Sequence, residues 1–384
     1  MPGGVSASRL ALAIAVSIAV VIAAPFVGDL RTWLTSQLGS RFVPVVNGGV
    51  AALAVVLIAV TMLRIRDRRV LRYGLLAAAA GLAVTFGRGT SASSAVTRAV
   101  ERFHFFEYGL ITLLFCRAYR ARPHADPAPY VLAVLSALIV GTAEEALQWF
   151  VPDRIGEIAD VFLNLSAIAV GLLVALALDP PEAFTWRIAG PARARVARLA
   201  AVTLLGLALF VRVVHLGNWV ADREVRFKSR YSAGQLGEAG IARAASWAER
   251  PPATRPPAFS REDQYLTEAL WHVQARNTAW GAGQATAALG EQRILERYFT
   301  PVLRLGHDWP PAQRTDAERR TARGAALYES HAERLPIWTW SLWGFWMAVV
   351  VLAVALVAAS ARISGGGEKR SNRDRPGRMY GGRM

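Results

Sequence analysis

Long apolar runs with almost no charge constrain this chain more than any other feature. Leu10 to Val27 and Met347 to Ala361 are two of them. About 18 apolar residues coiled as an α-helix cover roughly 30 Å of hydrocarbon. Inside a bilayer the protein must satisfy its own backbone N–H and C=O groups, which leaves helices or closed barrels. These runs lack the in–out alternation of barrel strands, so they read as helices. Eight stretches qualify, at about 9–27, 46–63, 70–87, 103–119, 129–150, 158–178, 196–215 and 337–360. The fold class that follows is all-α: a polytopic transmembrane helix bundle of about eight spans, with a small helical extracytoplasmic domain.

A net charge of +16 invites a nucleic-acid partner until the charges are placed on this frame. If the N-terminus is cytoplasmic, the inner segments hold 20 basic residues and the short outer segments only 6. Short cytoplasmic loops collect Lys and Arg, so the bias orients the chain with both termini inside. The basic charge is therefore a topology signal. Its natural partner is the bilayer, including anionic headgroups near juxtamembrane arginines, and not nucleic acid. Counting the first run as a span keeps the arginine-rich loops alternating, so it reads as a retained helix and not a cleaved leader. Cys116 is the only cysteine, which excludes an intramolecular disulfide.

Residues 1–180 form a compact set of six spans. Residues 181–216 are a basic inner loop and a seventh span, and residues 337–384 are an eighth span and a basic cytoplasmic tail. Between them, residues 217–336 form a polar section that the topology places outside. Ser260 with Asp263 makes a capping box ahead of Tyr265, Leu266, Leu270 and Val273. Thr286 to Phe299 reads as a second helix, and Thr315 or Asp316 as the cap of a third running to Arg334. Trp338, Trp340, Trp343 and Trp346 sit where the eighth span enters the bilayer, as interfacial anchors do. His215, His272 and Arg276 read as solvated or locally paired.

The residues best suited to chemistry lie in the fourth, fifth and sixth spans. At 3.6 residues per turn, Glu101, His104 and Tyr108 share one helix face, and Glu107 lies beside them. Gln148 is flanked by Glu144 and Glu145, one turn away. Asp160, Asn164 and Gly171 line up on one side of the sixth span, where Gly171 permits close helix contact. All three clusters fall at the outer ends of their spans. Ionisable groups there must face one another or a wet cavity, and a shared cavity is the simplest arrangement.

The ordered run Glu-x-x-His-Phe-x-Glu-Tyr, acidic-Glu-x-x-Gln-x-x-x-Pro-x-Arg and Asp-x-x-x-Asn resembles the VanZ-like membrane proteins over residues 101–171. By analogy the VanZ-like domain covers the six spans of 1–180. The positions that carry over are Glu101, His104, Glu107, Tyr108, Glu145, Gln148, Pro152, Arg154, Asp160 and Asn164. Glu144 stands where the family often has Asp, and Ala167 where it often has Gly. The family takes its name from a determinant of reduced sensitivity to teicoplanin, so the resemblance implies a cell-envelope context without a reaction.

Three readings remain. In an envelope enzyme or headgroup-binding protein, His104 and Glu145 carry protons, Arg154 clamps a phosphate or carboxylate, and Asp160 with Asn164 orients an envelope lipid or glycan-linked ligand. In a proton-coupled transporter or flippase, the same carboxylates relay protons. In a structural protein they hold the bundle while the outer section binds a partner. The Glu-x-x-His spacing of di-iron bundles occurs once where such sites need it twice, so neither a metal nor another cofactor is expected.

Overall fold

The computed structural model describes residues 6–88, 95–120, 126–151, 156–181, 188, 190–252, 264–321 and 326–371. The chain is an α-helical membrane bundle carrying a small polar section at one end. Its long helices are α1 (Ala7–Leu38), α2 (Phe42–Arg64), α3 (Arg69–Arg88), α5 (His104–Tyr119), α6 (Ala128–Gln148), α7 (Ile158–Leu178), α8 (Gly190–Val214) and α14 (Leu342–Ser371), with a short α4 (Ala95–Glu101) before α5. Six stretches among the described residues are long and apolar enough to cross a membrane. The first of these, Ala7–Arg64, holds both α1 and α2. Gly39 divides it: the residue has φ +52, a conformation that suits glycine. α1 runs past residue 27, through Pro25, before that turn. α5 is 16 residues long, about 24 Å, which is short for a span.

Contacts between helix ends show how these segments alternate. At one end, Ser6 N donates to Ala118 O at 3.2 Å, Arg72 Nη2 to Leu178 O at 2.8 Å and Arg68 Nη1 to Pro181 O at 2.8 Å. The starts of α1 and α3 therefore lie beside the ends of α5 and α7. At the opposite end, Arg102 Nη1 donates to Asn47 Oδ1 at 2.5 Å, and Ile158 N to His215 Nε2 at 2.9 Å. The arginine-rich segments gather at the first end, as the charge pattern anticipates. α5 and α7 cross at Gly109 and Gly171, so closely that a Cβ on Gly171 would stand 2.7 Å from both Gly109 Cα and its carbonyl oxygen. The close contact expected of Gly171 is present, and Ala167 packs fully buried beside it.

The polar section is mainly helical, with α9 (Ala233–Glu249), α10 (Gln264–Gly281), α11 (Ala285–Tyr298), a single turn α12 (Thr300–Val302) and α13 (Pro311–Arg320). α9 begins at a capping box that the sequence reading passed over, in which Ser232 and Gln235 bond each other's backbone N–H. The Ser260–Asp263 box lies outside the described residues. The third helix differs from expectation: it starts at Pro311, with Thr315 and Asp316 inside it, and ends at Arg320. Proline suits the first helical turn, where its missing N–H would find no partner anyway. Asp316 instead pairs with Arg320 at 2.6 Å.

A three-stranded sheet was also unforeseen. β1 (Asn218–Ala221) pairs antiparallel with β2 (Val225–Ser229), and β3 (Tyr328–Glu329) adds in parallel to β2. In β2, Val225, Phe227 and Ser229 point inward and their neighbours outward, the period of a strand with one covered face. Phe227 packs with Leu236, Tyr265, Phe299 and Ile294 in the core of this section.

That section is joined firmly to the bundle. A second core runs across the junction, from Trp149 and Ile158 through Val211, Val214 and Leu216 to Trp271, Ile337 and Phe345. Trp340 and Trp343 are exposed near the start of α14, as membrane-surface anchors would be, whereas Trp346 packs against that core.

Candidate functional site

The candidate residues fall into a buried group and a more open group. α6 ends with Glu144, Glu145 and Gln148, all buried. Tyr108, buried on α5, donates its hydroxyl to Glu144 Oε2. Gln148 Nε2 donates to Glu144 Oε1 at 3.0 Å, one turn further along the same helix. The Glu144 carboxylate therefore receives a donor on each oxygen, the usual condition for burying such a group. Glu145 is fully buried one residue away. Glu144, Glu145 and Glu107 all lie within electrostatic reach of the Tyr108 phenol.

Glycines make this proximity possible. A Cβ on Gly141 would lie 3.2 Å from both Asn164 Cβ and Tyr108 Cε1, so α5, α6 and α7 meet there. Gly156 fits still more tightly, where a Cβ would stand 2.1 Å from Glu145 O. Asn164 is 0% exposed, and among the described residues neither its Oδ1 nor its Nδ2 has a hydrogen-bond partner.

The open group lies nearer the helix ends. His104 Nδ1 stands 3.5 Å from Glu107 Oε2, and its ring centroid is 6.1 Å from that of Tyr108. Asp160 is half-buried in the first turn of α7. Glu101 does not share a helix with His104 as the spacing suggested. It ends α4, and the chain turns at Arg102 and Phe103 before α5 begins. Glu101 lies near Glu157, the residue before α7. Burial and the Glu101 charge push the Glu157 carboxyl above its ordinary range. Pro152 and Arg154 lie outside the described residues. Among the described residues, no three His, Cys, Asp or Glu side chains group to hold a metal ion.

Sequence reasoning missed what supports this end. Of the two readings, His215 takes the paired one, and it is buried: Nε2 accepts from Ile158 N, the first residue of α7, and Nδ1 lies 2.9 Å from Pro336 O. Accepting at Nε2 places the ring proton on Nδ1, so His215 is the neutral tautomer. Arg230 donates to Val213 O and Val214 O at the end of α8, and its guanidinium lies 4.8 Å from the Trp149 ring. A cation there complements the negative end of the helix. Burial pulls the Arg230 pKa down to about 10. Within the polar section, His272 Nδ1 meets Glu291 Oε2 at 2.6 Å in the core, and Arg276 Nη1 donates to Gln292 Oε1 at 2.5 Å. Trp149 next to Gln148 was the one visible hint, because a large aromatic at the end of a polar run needs something to cover it.

Comparison with curated proteins and with solved structures finds no match. The family model described as VanZ/LLP1 matches residues 50–179, from within α2 to the end of α7. That range holds Tyr108, Glu144, Gln148 and Asn164 together with the glycines that bring them into contact. Residues 50–179 of this helical membrane protein are therefore VanZ-like.

Proposed function

We propose that the outer ends of α4 to α7 bind the polar part of an envelope lipid or glycan-linked ligand. The observation that carries this reading is the buried amide of Asn164. Like Tyr108, it lies against Gly141 where three helices meet, with an acceptor and two donors unused among the described residues. Leaving such a group unsatisfied is expensive, so its retention argues for a partner. The carboxylates at the ends of α4, α5 and α7, Glu101, Glu107, Glu157 and Asp160, with His104, would form its rim. Carboxylates accept hydrogen bonds from hydroxyl and ammonium groups, which sugar and amino headgroups supply. Arg154, next in the polar run, would meet a phosphate or carboxylate on the same ligand.

One observation favours a structural reading for part of the cluster. The Tyr108–Glu144–Gln148 chain is buried and hydrogen-bonded within itself, as a brace between helices would be. In the proposed division of labour, this chain braces the site and the rim engages the ligand.

His104→Gln and Asp160→Asn test the proposal. Each variant is compared with the parent for melting temperature in detergent and for the host's sensitivity to teicoplanin. The expected result is an unchanged melting temperature with a lost phenotype. A phenotype lost only in step with stability would leave the structural reading standing and remove the ligand site.

A further inference from the structure

Four arginines converge at the end of the bundle away from this cluster. Arg9 lies in the first turn of α1, Arg64 ends α2, and Arg117 and Arg120 stand at the end of α5. With Tyr130 and Asp179 they line a cavity of about 150 Å³, several times the room that one water needs. Arg120 is already engaged: it meets Asp179 Oδ2 at 3.0 Å, donates to Asp179 O and lies 5.3 Å from the Tyr130 ring. Arg9 Nη1 donates to Arg117 O at 3.4 Å, which uses part of one guanidinium. Arg64 and Arg117 are exposed and meet no carboxylate among the described residues.

Tyr130 adds a donor without an acceptor to the cavity wall. It is 6% exposed, and its hydroxyl makes no hydrogen bond among the described residues. A guanidinium cannot accept a hydrogen bond, so the Arg120 head beside the ring leaves the phenolic proton unused. Burying such a donor is costly unless a ligand supplies the acceptor. A topology signal asks only that arginines lie in the inner segments. It requires neither their convergence on one cavity nor a buried phenol among them.

The charges choose the ligand class. Four arginines against Asp179 leave a surplus of three positive charges around the cavity. The ends of α2, α5 and α7 each add about −0.5 and the start of α1 about +0.5, which lowers the surplus to about two. A phosphate monoester carries about −1.5 to −2 at neutral pH and presents oxygen pairs that a guanidinium fork grips, whereas a carboxylate carries a single charge. We propose that this cavity is a phosphate site, in which Arg9, Arg64 and Arg117 hold a phosphate monoester and the Tyr130 hydroxyl donates to one of its oxygens. The charge bias assigns this end to the cytoplasmic face, where the phosphate belongs to a soluble ester or to a lipid headgroup. The site lies at the opposite end of the bundle from Asn164 and does not depend on the role of that cluster.

The test uses the purified full chain in phosphatidylcholine nanodiscs at constant ionic strength, with chloride as the control anion. Inorganic phosphate, followed by titration calorimetry and melting temperature, probes the soluble source. Nanodiscs doped with phosphatidic acid, followed by lipid retained in native mass spectrometry, probe the headgroup. Saturable binding in either arm supports the site and identifies the source. Tyr130→Phe removes only the hydroxyl, so it should leave the unliganded melting temperature unchanged or higher and weaken binding about tenfold. Arg64→Gln with Arg117→Gln removes two exposed heads and should weaken binding at least as much. Binding in neither arm would overturn the proposal. So would full-strength binding by Tyr130→Phe or by the arginine pair, because general attraction to a basic surface does not need that hydroxyl.

Discussion

Replacing Gly171 by alanine probes the contact that assembles the candidate site. A Cβ at this position would stand 2.7 Å from Gly109 Cα and 3.0 Å from Thr112 Cβ. Ordinary carbon contacts are about 3.5–4.0 Å, so α5 and α7 would have to separate by nearly 1 Å, and the obstacle is backbone that cannot rotate aside. Overpacking of this kind costs about 1–3 kcal/mol. Alanine also gains about 1 kcal/mol of helix propensity over glycine, so the net effect runs from neutral to about 2 kcal/mol destabilising. Gly109 is the internal control. A Cβ there meets only Gly171 Cα, at 3.9 Å, so Gly109→Ala should keep the propensity gain. The two variants make the same chemical change on facing helices and should differ by about 1–3 kcal/mol. Melting temperatures of the purified protein in detergent should rank Gly109→Ala above Gly171→Ala by at least about 2 °C. Equal melting temperatures would refute the close crossing of α5 and α7.

Two further outcomes follow from the polar section and the charge bias. Burial works to raise the Asp222 pKa, but hydrogen bonds from Arg297 and from Glu224 N and Val225 N outweigh it and hold the carboxyl below its ordinary range. Its anion therefore stabilises the fold above about pH 4, and that stability is lost as pH falls through the lowered value. Asp222→Asn should flatten the acid limb of a pH series of melting temperatures, and an unchanged limb would count against the Arg297 pairing. For topology, the buried Cys116 should stay silent to a membrane-impermeant thiol reagent. Glu238→Cys should label from outside intact cells and Ala125→Cys only after the membrane is opened; labelling of both from one side would contradict the 20-to-6 distribution of basic residues.

The sequence by itself determined the features that depend on local chemistry. Uninterrupted apolar runs require helices in a bilayer, and arginines between alternate runs mark the common end at which those helices begin and finish. The spacing of Glu144, Gln148 and Gly171 along their own helices was equally legible, because helical periodicity fixes which neighbours within one helix share a face. Tertiary structure decided everything that joins residues distant in the chain. Tyr108 comes close enough to α6 to reach Glu144 because Gly141 leaves room for its ring. Glu101 does not share a helix with His104 because the chain turns at Arg102. β3 finds β2 across a hundred residues on the strength of two paired positions, too short a signal to read in advance. Nothing in the sequence around His215 or Arg230 marks them as partners for the ends of α7 and α8, which supply an N–H and two carbonyls for them. A helix end leaves such groups unpaired wherever it occurs, but which side chain arrives to satisfy them depends on packing in three dimensions.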